Sequence, residues 1–138
     1  APAAAAANYV PFRLSGSLLI VSGQLPMVEG KVRYRGKLGA ELGLEEGQAA
    51  ARLCAVNILS QIVFSGGVEL SQVKRVVKLT VLVASTPEFH EHHLVANGAS
   101  NLLVGVLGDR GKHSRAAFGV AALPLGAAVE VEAVVEVE

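Results

Sequence analysis

The last ten residues, VEVEAVVEVE, constrain the fold more than any other stretch of this 138-residue chain. Side chains of a strand alternate between its two faces. Val129, Val131, Ala133, Val135 and Val137 therefore form one wholly apolar face, and Glu130, Glu132, Glu136 and Glu138 stand on the other with Val134 among them. A strand so divided must cover its valines with another layer while its glutamates meet water or a ligand. A strand 114–122 precedes it, separated by a Pro-Leu-Gly turn. That turn is expected to bring the two strands side by side.

The rest of the chain supplies the covering layer. Residues 8–14 and 17–22 read as a hairpin around a Ser-Gly turn, 23–30 as a loop, and 31–36 as a short polar strand. Glycines at 36, 39 and 43 make 36–44 a flexible connection. From Glu45 to Phe64 the apolar spacing is helical, with only a narrow polar stripe of Asn57, Ser60 and Gln61, so this helix is expected to be largely buried. Glu45 and Glu46 favour its positive end, and Gly66-Gly67 ends it. Residues 73–84 form a β-branched central strand, with Lys74 and Lys78 outward. Thr86-Pro87-Glu88 has the pattern of a helix start, for a second helix running to about Leu107 with a bend at Asn97-Gly98. The order β-β-β-α-β-α-β-β predicts an α+β fold with two helices packed on one face of a mixed sheet, in one domain spanning 1–138 behind an Ala-rich tail at 1–7.

Composition narrows the function. Twelve basic residues balance twelve acidic ones, there is no Trp, and only six residues are aromatic. Such a chain lacks the basic field and stacking rings of a nucleic-acid binder. Half of its residues are hydrophobic, which suggests that another subunit covers part of the surface. Cys54, alone and inside an apolar helix, reads as a small buried hydrophobe in a reducing compartment. The start, APAAAAA, has no Met and is expected to be trimmed. It is too short, and lacks the basic flank, for a signal peptide or anchor, and no apolar run reaches the roughly 18 residues a spanning helix needs. A cytoplasmic setting is expected, with an organelle left open.

Several residues carry candidate chemistry. Arg115 shares a strand face with Ala117 and Gly119, whose small side chains leave room for a ligand, while Ala116, Phe118 and Val120 are expected to face the core. A guanidinium matches a carboxylate with two parallel hydrogen bonds; the alternative is a surface arginine at a strand start. Any one glutamate of the last strand reads as solvated, but a shielded one can activate water, and Glu130 lies nearest the turn. His90-Glu91-His92-His93 invites a metal reading. Only His90 and His93 would share a helical face, however, and no further ligand completes a site, so no metal is expected.

With SGQLP at 22–26, KLTVLV at 78–83, and Arg115 followed by LPLGAAVEVEA at 123–133, the chain resembles the Rid family of reactive-intermediate deaminases, also called YjgF or endoribonuclease L-PSP proteins. The resemblance spans nearly the whole chain. It implies a chorismate-mutase-like domain assembled as a homotrimer with clefts between subunits, and hydrolysis of enamine/imine carboxylates of the 2-aminoacrylate and 2-iminopropanoate type to 2-keto acids and ammonia, without a cofactor. By position, Arg115 matches the family's carboxylate-binding arginine, Glu130 its water-positioning glutamate, Tyr9 the tyrosine of the first strand, and Ser22 and Gly23 the turn lining the cleft. The sequence also departs from the pattern. The usual Pro-x-Arg-Ser is Lys112-His113-Ser114-Arg115-Ala116, Ala117 replaces a common cysteine, and the helix asparagine of many deaminases falls near His93. His113 is either an added polar group in the cleft or a loop histidine outside it. Residues 95–113 resemble a distinct branch. A non-catalytic carboxylate binder using the same cleft is the second reading, and the ribonuclease or translation-inhibitor label of the family is the third.

Overall fold

The computed structural model describes residues 2–5 and 7–138. Strands β1 (Phe12–Ser15), β2 (Leu18–Gln24), β5 (Val73–Ala84), β6 (Ser114–Val120) and β7 (Val129–Val137) form one sheet in the order β1-β2-β7-β5-β6. All neighbours are antiparallel except β5 and β6, so the sheet is mixed, as expected. β3 (Met27–Val28) and β4 (Lys31–Val32) form a separate ribbon. Helices α1 (Leu44–Ser60) and α2 (His92–Leu107) share one hydrophobic core with one face of the sheet. No described helix is long and apolar enough to cross a membrane.

The apolar face of β7 is buried along its whole length, from Val129 to Val137. It meets Leu19 and Val21 of β2, Leu79, Val81 and Val83 of β5, and Cys54 and Ile58 of α1 in that core. Each such aliphatic side chain contributes about 1.5–3 kcal/mol when fully withdrawn from water. The opposite sheet face has no helix over it, and Ile20 and Phe118 remain 46% and 47% exposed there.

Several expected boundaries move, for identifiable reasons. β1 begins at Phe12 rather than residue 8. Pro11 has no amide hydrogen to give a ladder, and the chain before it is held instead by Ser22 Oγ donating to the Val10 carbonyl at 2.6 Å. The loop 23–30 contains β3, and the strand expected at 31–36 ends at Val32 because Tyr34 and Gly36 take left-handed backbone angles, φ 58° and 119°. The first helix runs on through a wide turn, Gln61–Ser65, close to its expected end.

The second helix starts at His92, six residues after Thr86. Thr86 is pinned elsewhere: its amide donates to the Leu38 carbonyl at 3.0 Å. Nor does Asn97-Gly98 interrupt α2, which is assigned as a single helix. A side chain on Gly98 would run into the backbone of Gln48, so this glycine lets α1 and α2 approach closely.

The largest correction concerns β6 and β7, which are not neighbours. β5 lies between them, its end held on both sides by Ser85 N–H to Val120 O (3.2 Å) and Ala84 N–H to Ala128 O (2.9 Å). Residues 121–128 therefore bridge across β5 instead of making a tight turn. The faces of β6 are also reversed. Arg115, Ala117 and Gly119 pair in register with Leu79, Val81 and Val83, the buried side of β5, whereas Phe118 pairs with Leu82 on the uncovered side. The small residues at 117 and 119 make room for α2.

Candidate functional site

The candidate residues gather in two groups on opposite faces of the sheet. The first surrounds Glu130. β2 is irregular between Val21 and Gln24, and this bulge lays Gly23 against the Glu130 side chain so closely that a Cβ on Gly23 would occupy the carboxylate's place. Glycine is required there by space. The Glu130 carboxyl is half-buried; burial raises its pKa, and the nearby Glu132 charge raises it further. Gly23 and Tyr9 line a small pocket with Ala3, Ala4 and Gln24. Tyr9 lies before β1 and not on it.

Buried polar atoms hold this loop in shape. Asn57 Nδ2 donates to the Leu25 and Met27 carbonyls at 2.9 and 3.1 Å. Gln61 Nε2 donates to the Ala3 carbonyl at 2.7 Å and approaches Gln24 Oε1 at 3.4 Å. Gln24 in turn donates to the Ser22 carbonyl at 3.1 Å. The polar stripe of α1 thus clamps the SGQLP segment from beneath. Its spacing, Asn57 to Gln61 within an otherwise apolar helix, was the available signal, since buried amides need partners.

The second group surrounds Arg115 at the outer edge of β6. Nη1 donates to Asn97 Oδ1 at 2.9 Å and to Ser100 Oγ at 3.1 Å, and Nη2 donates to the His93 carbonyl at 3.1 Å. Three of five guanidinium hydrogens are committed by these bonds. Among the described residues, Nε–H and one Nη2–H are left without a bond, and both can donate to an oxyanion. The guanidinium itself is exposed.

His93 contributes its backbone carbonyl to Arg115 and is itself exposed, while the side-chain contact from this helix is made by Asn97. Positions 93, 97 and 100 fall on one helical face, a spacing that would have identified Asn97 and Ser100. His113 does join the group, with Nε2 2.8 Å from Ser100 Oγ. Ala117 packs against the core.

The histidine run splits apart. His90 precedes α2 and so shares no helical face with His93. His92 turns to Ser85 Oγ at 3.0 Å and meets Phe89 edge-on, with 5.3 Å between ring centroids and 85° between planes. Burial, then the charges of His90 and His93, lower its pKa. Among the described residues, no three His, Cys, Asp or Glu side chains gather as metal ligands. Cys54 is fully buried and its thiol is pushed well up, chiefly by desolvation, so it is no nucleophile.

Within one chain the two groups cannot act on one small molecule. Glu130 pairs with Leu82, which pairs with Phe118, so the carboxylate belongs to the uncovered face two strands from β6. Two strand spacings amount to roughly 10 Å, and the sheet itself intervenes.

Residues 1–137 match the family described as "YjgF/chorismate_mutase-like, putative endoribonuclease". Protein TCP17 of Trypanosoma cruzi is 54% identical over 137 residues, covering 99% of this chain and 85% of that protein. The crystal structure of Atu1372 from Agrobacterium tumefaciens, described as of unknown function, is 55% identical, with a TM-score of 0.93 over 96% of this chain and 84% of its own. A "putative endoribonuclease" of Shewanella oneidensis MR-1 is 36% identical, with a TM-score of 0.95 over 99% and 90%. The sheet and its helices thus have a known frame, and the chain belongs to the YjgF/Rid family.

Proposed function

We propose that this protein is a hydrolytic deaminase of small enamine/imine carboxylates, of the 2-aminoacrylate and 2-iminopropanoate type, releasing 2-keto acids and ammonia. The observation that carries this reading is the exposed Arg115 guanidinium, tethered through three hydrogens with two N–H groups left to donate at the open edge of the sheet. A small organic acid fits that edge and would be fixed in orientation by it.

The protein works as a homotrimer in this reading. The guanidinium of one subunit faces the Glu130 carboxylate, Gly23, Ser22 and Tyr9 of the next. Two features support this: the groups lie on opposite faces of each sheet, and the uncovered face carries Ile20, Phe118 and Leu82 without a helix above them. Covering those side chains by a second copy withdraws them from water.

The chemistry follows from Glu130. Its raised pKa makes it a stronger proton acceptor than an ordinary carboxylate, which suits a group that must take a proton and return it. Ionised, it removes a proton from water as the oxygen bonds to the imine carbon and the C=N electron pair moves to nitrogen. The nitrogen gains a proton from solvent to give a carbinolamine. Protonated Glu130 then supplies the proton on which ammonia leaves, and the hydroxyl proton returns to solvent as C=O forms. No metal or organic cofactor and no nucleic acid enters the cycle, and a reducing compartment such as the cytoplasm suits the single thiol.

A coupled assay tests this. A pyridoxal-phosphate dehydratase generates 2-aminoacrylate, and pyruvate release is followed with and without the protein. Acceleration by wild type and its loss in Arg115→Ala are expected. Equal acceleration by both sinks the reading; tight pyruvate binding with no turnover makes the protein a carboxylate binder.

A further inference from the structure

Behind Arg115 the hydrogen bonds continue as a chain with one polarity. His113 Nδ1 lies 2.6 Å from the Gly111 carbonyl, which can only accept, so Nδ1 carries a hydrogen. His113 Nε2 lies 2.8 Å from Ser100 Oγ. The same oxygen receives Arg115 Nη1, which can only donate. With a neutral ring, Ser100 gives its one hydrogen to Nε2 and keeps a lone pair on the guanidinium. Burial, and secondarily the Arg115 charge, hold the ring below its ordinary pKa against the opposing bond to Gly111, which favours that neutral form.

We propose that Ser100 and His113 are positioning residues for the Arg115 anchor: the ring directs the serine hydroxyl, the serine holds Nη1, and the guanidinium is thereby fixed before the carboxylate arrives. This rests on the deaminase reading, and neither residue touches the reacting atoms. An exposed arginine otherwise loses side-chain freedom on binding its ligand, and fixing it beforehand removes that cost.

The surroundings of the ring leave few other controls. Val104 and Ser100 of α2, with Lys112, His113 and Arg115, line a cleft of about 230 Å³. Lys112 pairs with Asp109 at 3.2 Å, the His93 ring is exposed, and on β5 Lys78 lies in register with Ser114 and is also exposed. Arg115 is the charge coupled to the ring through Ser100. Burial is the main cause of the depressed His113 pKa; a carboxylate on Arg115 offsets only the smaller part due to the guanidinium charge, and so moves the ring's pKa upward. By linkage, anion affinity rises as pH falls through the interval between the free and bound values.

The experiment measures pyruvate affinity of the full chain by calorimetry, with the His113 ring followed by NMR. Ser100→Ala and His113→Leu are expected to weaken binding about five- to tenfold, as for one lost hydrogen bond, while Ser100→Thr stays within about twofold of wild type. The wild-type ring is expected to titrate at higher pH with pyruvate bound, and His113→Leu to lose the matching step in affinity. Wild-type affinity in Ser100→Ala and His113→Leu, with binding lost in Arg115→Ala, overturns the positioning role and leaves the anchor standing. An unmoved ring titration also overturns it. Wild-type affinity in Arg115→Ala overturns anchor and positioning role together. Alanine is favourable inside a helix, so Ser100→Ala remains a fair test even if His113→Leu misfolds.

Discussion

The two residue groups are built by different means. Around Glu130, the loop is clamped by amides drawn from a helix more than thirty positions away, and those amides are buried in the core region. Around Arg115, every partner comes from one face of α2 or the turn before β6, and the guanidinium stays exposed. Placing Glu130 is therefore inseparable from folding, whereas placing Arg115 is a local matter laid on a finished fold. Damage to the amides that seat Glu130 should be read as lost stability, and damage to the residues that hold Arg115 as lost function.

The sharpest way to break this comparison is to divide the groups between subunits. Arg115→Ala and Glu130→Gln should each lower turnover about 10²–10⁴-fold. Unfolding the two variants together and refolding them as mixed trimers should restore activity, because about a quarter of randomly assembled interfaces join an intact Arg115 to an intact Glu130. No recovery in the coupled assay would show that each chain completes its own site.

Next in size, Asn57→Ala should cost about 1–3 kcal/mol in denaturant unfolding, since it removes two hydrogen bonds and leaves the Leu25 carbonyl with only the Met27 N–H. Asn97→Ala removes one exposed hydrogen bond and should change stability by less than about 0.5 kcal/mol while weakening pyruvate binding. If the two asparagine variants lose stability equally, the contrast fails.

Smaller still is the effect of charge on Glu130. Its folded pKa is raised, so the carboxyl favours folding when protonated, and that contribution fades as pH rises through its titration. Glu130→Gln should therefore melt slightly above wild type at pH 7, with the gap closing once pH falls below the ordinary carboxylate range. A gap of opposite sign in melting scans would mean that the carboxylate is stabilised in the fold.

Much of this could be seen in the sequence because alternation and helical spacing are local signals. The period-two pattern of Val129–Val137 identified the buried face, and the near-apolar pattern from Glu45 identified the buried helix. Alternation says which residues of β6 share a face, however, and not which face a helix covers. Small residues beside Arg115 were compatible with a ligand or with α2, and only the packing of α2 decides. Strand order was equally hidden. Nothing local to residues 121–128 shows that they bridge across β5, because the hydrogen bonds that force it come from Ala84 and Ser85. The resemblance pointed to Arg115 and Glu130 together, while Asn97 and Ser100 needed the helix in place.

The placement of anchor and base on opposite sides of one sheet has a further consequence. A lone chain holds every reacting group and still lacks a site, so under the proposed assembly its output per molecule depends on how many copies surround it. Dilution would silence it reversibly without unfolding anything, and the cellular amount of the protein would set both the number of catalysts and the fraction switched on.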